Sequence, residues 1–354
     1  MTEVLFVAKP MAPPWNDSTK NLVRDVSGHL SRYSAAFVQR RTKTRAFAPS
    51  LEENLDVLCY LLLERRADLW HFFFAPSRKA SAAARFARTV RRMPTVHTVC
   101  SLPPDRADPT KLVFADRTVV LSRFAWDRFV DAGVHPSRLV WIPPCVPALA
   151  SPSRAERSSL RRQYRLPESA AVWIYPGDLE HGGGAELAID GFASWGREDA
   201  VLLMASRDKT KRAAAERAQL VELTIRRGIE RRVRWVGETP HIHALLAASD
   251  FVVLLNRSPY AKMDYPLAAL EAMCMERPVF VGGGTPAAEL AEEGGAVAVD
   301  ANAEALAHAV EAFASDEQAG EALCHRAREL VLDRFTPEKV AAAYERIYEE
   351  LDAA

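Results

Sequence analysis

The chain has 354 residues, 49% of them hydrophobic and 26% charged, with 46 basic side chains balanced by 46 acidic ones. That is the composition of a globular protein of about two domains, and no run reaches the roughly 18 apolar residues of a membrane span. Five isolated cysteines at 59, 100, 145, 274 and 324 form no Cys-x-x-Cys pair, which fits reduced thiols in a cytoplasmic protein.

The opening MTEVLFVAKP has an acid at position 3 and a five-residue apolar run, so it reads as a first strand and not as a signal peptide. Further apolar, β-rich runs at 35–38, 69–74, 95–99, 118–121 and 139–142 predict strands. Helical patterns at 18–30, 51–66, 77–92 and 122–132 lie between them. Continuous apolar strands separated by helices predict a parallel sheet covered on both faces. WIPPCVPALASPS, residues 141–153, carries four prolines and reads as an interdomain linker.

The alternation then repeats. Strands are predicted at 172–175, 201–204, 233–236, 251–255, 278–281 and 296–299, with helices beginning near 184, 210, 240, 266, 285 and 303. TPEKVAAAYERIYEELDAA closes the chain with a Thr-Pro helix start and strong periodicity. The predicted organisation is a first domain over 1–148, a second over 149–335, and a last helix over 336–354 that packs back on the first. Ligands of such sheets bind at the carboxyl ends of the strands. Charge divides between the halves: residues 1–150 carry +9 and the remainder −9, so the first half suits an anionic partner.

YPGDLEHGGGAELAIDGF, residues 175–192, joins an apolar run to an alanine-rich helix through a glycine turn, the way an anion cradle is built. It contains no Lys or Arg, while Asp178, Glu180, Glu186 and Asp190 all lie in it. Several motifs are absent. No Asp-x-Asp metal motif is present, and no P-loop or dinucleotide fingerprint follows a strand. Basic residues are not interleaved with aromatics as nucleic-acid binding asks. His241-x-His243 has neither one-face spacing nor enough ligands for a zinc site.

The order of four segments resembles the retaining, family 4-like GT-B glycosyltransferases (glycosyl transferases group 1). These are TVVLSRFAWDRFVDAGVHPSRLVWIPPCV, the glycine turn just quoted, VRWVGETPHIHALLAASDFVVLLNRS, and DYPLAALEAMCMERPVFVGGGTPAAEL. The resemblance implies an α/β GT-B fold, with two doubly wound Rossmann-like domains facing a central cleft. The second domain would bind a nucleotide-diphosphate sugar and the first a hydroxyl acceptor, such as a cell-envelope glycan or glycolipid. It implies transfer with retention, no metal and no other cofactor.

Residue by residue, the resemblance gives Glu271 of Leu-Glu-Ala-Met the ribose hydroxyls, beside Leu270. Relatives have a second Glu eight positions earlier, where this chain has Met263. Lys262, a donor-side candidate, and Asp264 flank it; either Asp264 takes the sugar contact from a shifted turn, or that role is absent. Relatives also carry an Arg and a Lys in the first donor-domain turn, and here Gly177, Asp178, Gly182, Gly183 and Gly184 stand instead. Charge grows on the leaving diphosphate, so cationic help is required. Arg207 and Lys209, at the end of the next strand, are the candidates. Asp178 would pair with one of them or hold an acceptor hydroxyl. In the first half Ser18 and Thr19, with Lys9 and Lys20 near, occupy the turn whose amides meet phosphate in relatives. His97 is a candidate catalytic residue of lower rank, and Cys100 a lining one.

In residues 77–93 the side chains of Arg78, Arg85, Arg88, Arg91 and Arg92 share one helical face, opposite Phe86, Val90 and Met93. This reads as a solvated basic face or as a peripheral contact with an anionic membrane. Two other functions stay open. One is a GT-B sugar-nucleotide epimerase or hydrolase. The other is a catalytically weakened GT-B partner that binds nucleotide sugar and supports another transferase.

Overall fold

The computed structural model describes residues 2–38, 50–104, 106–206, 208, 210–260 and 262–353. The chain divides into two compact units. The first is Met1–Val146 with Tyr260–Asp264 and Phe335–Ala354; the second is Pro147–Pro259 with Tyr265–Arg334.

In the first unit the elements run β1 (Glu3–Val7), α1 (Ser18–Gly28), β2 (Ser34–Phe37), α2 (Leu51–Leu63), β3 (Leu69–Phe74), α3 (Arg78–Arg91), β4 (Thr95–Val99), β5 (Arg117–Val120), α4 (Arg123–Asp131) and β6 (Leu139–Trp141). The second unit follows with α5 (Arg154–Gln163), β7 (Ala171–Tyr175), α6 (Gly184–Trp195), β8 (Ala200–Met204), α7 (Lys211–Arg226), β9 (Val233–Trp235), α8 (Ile242–Ala248), β10 (Phe251–Leu254), α9 (Leu267–Cys274), β11 (Val279–Gly282), α10 (Glu289–Glu292), β12 (Val297–Val299), α11 (Ala303–Ser315) and α12 (Glu317–Arg334). The last helix, α13 (Pro337–Asp352), belongs to the first unit.

Each unit is a six-stranded, wholly parallel sheet, ordered β2-β1-β3-β4-β5-β6 in the first and β12-β11-β10-β7-β8-β9 in the second. Strands β4 and β8 are buried at every position. That is why β8, AVLLM, reads as an unbroken apolar run and not as an alternation, while β4, TVHTV, carries Thr95, His97 and Thr98 among its valines. Strand order reverses between β1 and β3 in one sheet and between β7 and β10 in the other. At such a switch point the loops diverge and leave room for a ligand.

Helix α13 starts with Pro337 behind Thr336 and lays Val340, Tyr344, Ile347 and Tyr348 into the core of the first unit. A chain of buried polar contacts ties it to the sheet. His71 Nδ1 meets the Tyr348 hydroxyl at 2.6 Å, His71 Nε2 meets Thr98 Oγ1 at 2.8 Å, and Thr98 meets the Tyr344 hydroxyl at 3.1 Å. The Glu345 carboxylate accepts both backbone amides and both side-chain donors of Ser31 and Arg32.

Two helices have no counterpart among the predicted elements. Helix α5, RAERSSLRRQ, has no apolar stripe. It is held by Arg161, whose guanidinium bonds the carbonyls of Ala248, Glu168 and Ala170 and the Asp250 carboxylate. Helix α12 is only weakly amphipathic. The helix expected from 285 is one 3-10 turn (Pro286–Ala288) followed by the single turn of α10.

Helix α3 differs from its expected orientation. Its buried face is the small one, Ser81, Ala84 and Ala87. Phe86 and Val90 are 55% and 57% exposed. Arg85, Arg88 and Arg91 reach back to the carbonyls of Val113, Phe114 and Glu64, and Arg88 also pairs with Asp116. Alanines let the helix approach the sheet closely, and the long arginine stems bend to satisfy nearby carbonyls.

Candidate functional site

In the second unit the glycine turn lies at the carboxyl end of β7, at the switch point. The Tyr175 side chain folds back under it, its hydroxyl donating to the Asp178 carbonyl at 2.8 Å. This explains two glycines by space alone. A Cβ on Gly177 would lie 2.3 Å from the Tyr175 ring, and one on Gly184 would lie 2.4 Å from the Leu255 carbonyl oxygen. Gly182 and Gly183 have φ of +77° and +64°, the left-handed region that glycine enters without penalty. Asp178 closes the turn from inside, its Oδ1 accepting the amides of Glu180 and His181 at 3.0 and 3.2 Å. Asp178 thus shapes the loop; the partners the sequence suggested for it, Arg207 and Lys209, lie outside the described residues.

The loops after β10 and β11 close on this turn. Asn256 Oδ1 would be 3.0 Å from a Cβ on Gly182, and the Asn256 carbonyl 2.8 Å from one on Gly282. The Arg257 amide donates to the Gly182 carbonyl at 2.8 Å, and its Nη1 donates to Glu186 Oε2 at 2.6 Å. Arg257 was not singled out from the sequence.

Glu271 lies in the middle of α9, its side chain 12% exposed, with Oε1 3.2 Å from His243 Nε2 on α8. A largely covered carboxylate in this place can accept hydroxyl donors from a ligand. His243, read from the sequence as ordinary, is therefore the immediate neighbour of the foremost candidate. Leu270 is different. Its side chain is fully buried and its amide bonds the Pro266 carbonyl, so it is a packing residue. Farther on, the buried Glu289 accepts from the Tyr265 hydroxyl at 2.5 Å. Arg207 and Lys209 lie outside the described residues.

The first unit has its own polar edge at the carboxyl ends of β1, β4 and β5. Asp17 caps α1 through the Lys20 amide and pairs with Lys9 at 2.6 Å. Ser18 is exposed and Thr19 half-buried in the first turn. Lys20 turns to the carbonyls of Ala12 and Pro14 and lies over the Trp15 ring. Cys100 follows β4; burial pushes its thiol up to about 12, with a hydrogen bond from Thr19 opposing.

The segment Tyr260–Asp264 joins this unit, bringing Lys262, Met263 and Asp264. Asp264 is buried and accepts from Ser122 Oγ, the cap of α4, at 2.7 Å. The expected sugar-binding carboxylate is thus seated among first-unit residues. His97 leaves the catalytic set. It is 1% exposed, lies between the rings of Phe74 and Phe114 at 4.4 and 4.8 Å, and meets the Phe74 carbonyl at 3.2 Å. Burial lowers its pKa to about 4, so it is a neutral core imidazole across the physiological range.

Among the described residues no group of three or more His, Cys, Asp or Glu could hold a metal ion, and no helix is long and apolar enough to cross a membrane.

Two doubly wound parallel sheets, one with a glycine turn at its switch point and a carboxylate on the helix after the neighbouring strand, define a GT-B protein. Solved structures of this fold superpose over the whole chain. Anabaena HepE, crystallised with UDP and glucose, gives a TM-score of 0.81 at 18% identity, covering 100% of both chains. The sucrose-phosphate synthase of Thermosynechococcus elongatus gives 0.79 at 18%, again covering 100% of both. Residues 156–330, just under half of the chain, match the model of the glycosyl transferases group 1. A curated relative, the N-acetyl-alpha-D-glucosaminyl L-malate synthase of Bacillus anthracis, is 27% identical over 199 residues. Those residues are 55% of this chain and 49% of that one, so the match spans about half the length of the relative.

Proposed function

We propose that the chain is a retaining, metal-independent glycosyltransferase that moves a sugar from a nucleoside-diphosphate donor to a hydroxyl acceptor. The second unit, which holds most of residues 149–335, is the donor side. The first, 1–148 with the last helix, is the acceptor side. The observation that carries this is the glycine turn at the β7–β10 switch point, built so tightly that a Cβ at Gly177 or Gly184 has no room. Such a turn brings backbone amides within reach of a diphosphate. Glu271 takes the ribose hydroxyls, with His243 bonding its other oxygen.

The chemistry asks the protein for position and charge. The bond from the anomeric carbon to the diphosphate oxygen breaks, and its electron pair leaves with the nucleoside diphosphate. The acceptor hydroxyl oxygen bonds the same carbon from the same face, and its proton passes to the departing phosphate oxygen. No protein base is consumed, in keeping with the neutral, buried state of His97. Orientation and fixed positive charge lower the barrier.

UDP-sugars are the first donors to try, since HepE was crystallised with UDP and glucose. The test is turnover of a nucleotide-sugar panel with and without EDTA, the product's anomeric configuration being read by proton NMR. Transfer with retention that EDTA does not slow is the expected result. Inverted product or EDTA-sensitive turnover refutes the mechanism. Epimerised or hydrolysed donor without transfer, or binding without turnover, replaces it with one of the two other functions.

The acceptor side carries a finer proposal, contact with an anionic membrane. Helices α2 and α3 pack together, and they expose Leu51, Leu55 and Leu63 on one and Phe86 and Val90 on the other. Arg78, Lys79, Arg85 and Arg92 are exposed on α3 as well. Apolar side chains that can enter the interface beside cations that meet lipid phosphate suit a peripheral site. Co-sedimentation with vesicles containing phosphatidylglycerol, but not with pure phosphatidylcholine, is expected; equal sedimentation with both refutes it.

A further inference from the structure

We propose that Arg257 is a cation that holds the donor diphosphate, and that Glu186 is the counter-charge it releases when the donor binds. This rests on the nucleoside-diphosphate reading of the second unit.

The glycine turn carries no Lys or Arg of its own between residues 175 and 192, yet negative charge grows on the leaving group as the glycosidic bond breaks. A guanidinium arrives from the next strand instead. Arg257 follows β10, which pairs directly with β7. Its amide is bonded to the Gly182 carbonyl at 2.8 Å, so the base of the side chain is fixed to the turn itself.

The far end lies across Gly183, where a Cβ would be 2.5 Å from Nη1. Gly183 therefore has a second duty besides its positive φ. It leaves open the strip over which the guanidinium lies.

At rest the guanidinium is occupied by Glu186, Nη1 to Oε2 2.6 Å, with side chains 46% and 49% exposed. Pairs this exposed are weak and salt-screened, so they exchange readily for a better anion. A diphosphate offers more acceptor oxygens and more charge than one carboxylate, in the planar two-pronged geometry that arginine matches. Glu186 stands in the first turn of α6, so it keeps the anion position filled by a carboxylate until phosphate arrives.

The experiment measures wild type, R257A, R257K and E186Q by isothermal titration. UDP, ADP, GDP and dTDP are tried on the wild type, and the tightest is used throughout, with its parent nucleoside measured by displacement. R257A should bind the diphosphate at least ~10-fold more weakly, about 1.4 kcal/mol, with nucleoside affinity unchanged. R257K should recover part of the loss. E186Q should bind the diphosphate more tightly than wild type, because its competitor is gone.

Wild-type diphosphate affinity in R257A overturns the proposal, as does an equal loss of diphosphate and nucleoside, which marks a merely structural residue. Weaker or unchanged binding in E186Q overturns the counter-charge role. A wild type that binds none of the four diphosphates overturns the donor reading first, and this proposal with it.

Discussion

Replacing Gly184 with alanine sets two effects of opposite sign against each other. Gly184 opens α6, and in a helix alanine is favoured over glycine by up to ~1 kcal/mol. Against this, the new Cβ would lie 2.4 Å from the Leu255 carbonyl oxygen and 2.8 Å from the Tyr175 hydroxyl. The first neighbour is backbone at the end of β10 and has no rotamer to change. The turn must therefore move by several tenths of an ångström. Overpacking of this kind costs about 1–3 kcal/mol, which outweighs the propensity gain. We expect a net loss of about 1–2 kcal/mol, or roughly 2–8 °C in Tm for a unit of this size. Gly28→Ala is the control: nothing lies within 4 Å of its Cβ, so it should be neutral or slightly stabilising. Thermal unfolding of both variants, with nucleoside-diphosphate titration, makes the comparison. If Gly184→Ala matches or exceeds wild type in Tm and still binds as tightly, the turn is not packed as described.

Glu345→Ala should cost about 1–2 kcal/mol in urea unfolding, since it removes the acceptor of four part-buried hydrogen bonds. Burial alone would raise the Glu345 pKa, but the hydrogen bonds from Arg32 and Ser31 reverse this and lower it. Its contribution is therefore full above the unfolded carboxylate value and fades as pH falls through the folded one. The gap between wild type and Glu345→Gln should close in acid; a gap that widens there contradicts the assignment. Tyr348→Phe removes the hydroxyl at His71 Nδ1 and should cost about 1–3 kcal/mol by the same measurement. Iodoacetamide at pH 8 should label the exposed Cys59 first, because burial raises the thiols of Cys100, Cys145 and Cys324; peptide mass spectrometry reads the order. Arg207→Ala should lower donor turnover at least ~10-fold; unchanged kinetics would end its candidacy.

The strands were legible because parallel strands buried on both faces are mostly apolar, and AVLLM is so throughout while LWHFFF is broken only by His71. The glycine turn was legible for the same local reason, since it is written in consecutive residues. What stayed hidden depends on neighbours distant in sequence. A single arginine after β10 has no spacing signal, and its meaning comes from β10 lying beside β7, some 80 residues earlier. His243 and Glu271 are linked only through the packing of α8 on α9. Helix α3 shows a different failure. Its wheel separates arginines from apolar residues, yet the face chosen for burial is the alanine one, because close approach outweighs the size of any one side chain.

The path of the backbone has a practical consequence for anyone dissecting this molecule. It leaves the first unit after Val146, revisits it for five residues at Tyr260–Asp264, and returns for good at Phe335. A fragment ending at the proline-rich stretch would strip His71 and Thr98 of their tyrosine partners and leave Ser122 without Asp264. The amino-terminal half is therefore not a module that can be lifted out by one cut. A minimal version has to carry the closing helix as a graft, and a carboxy-terminal version has to bridge the gap where those five residues were excised.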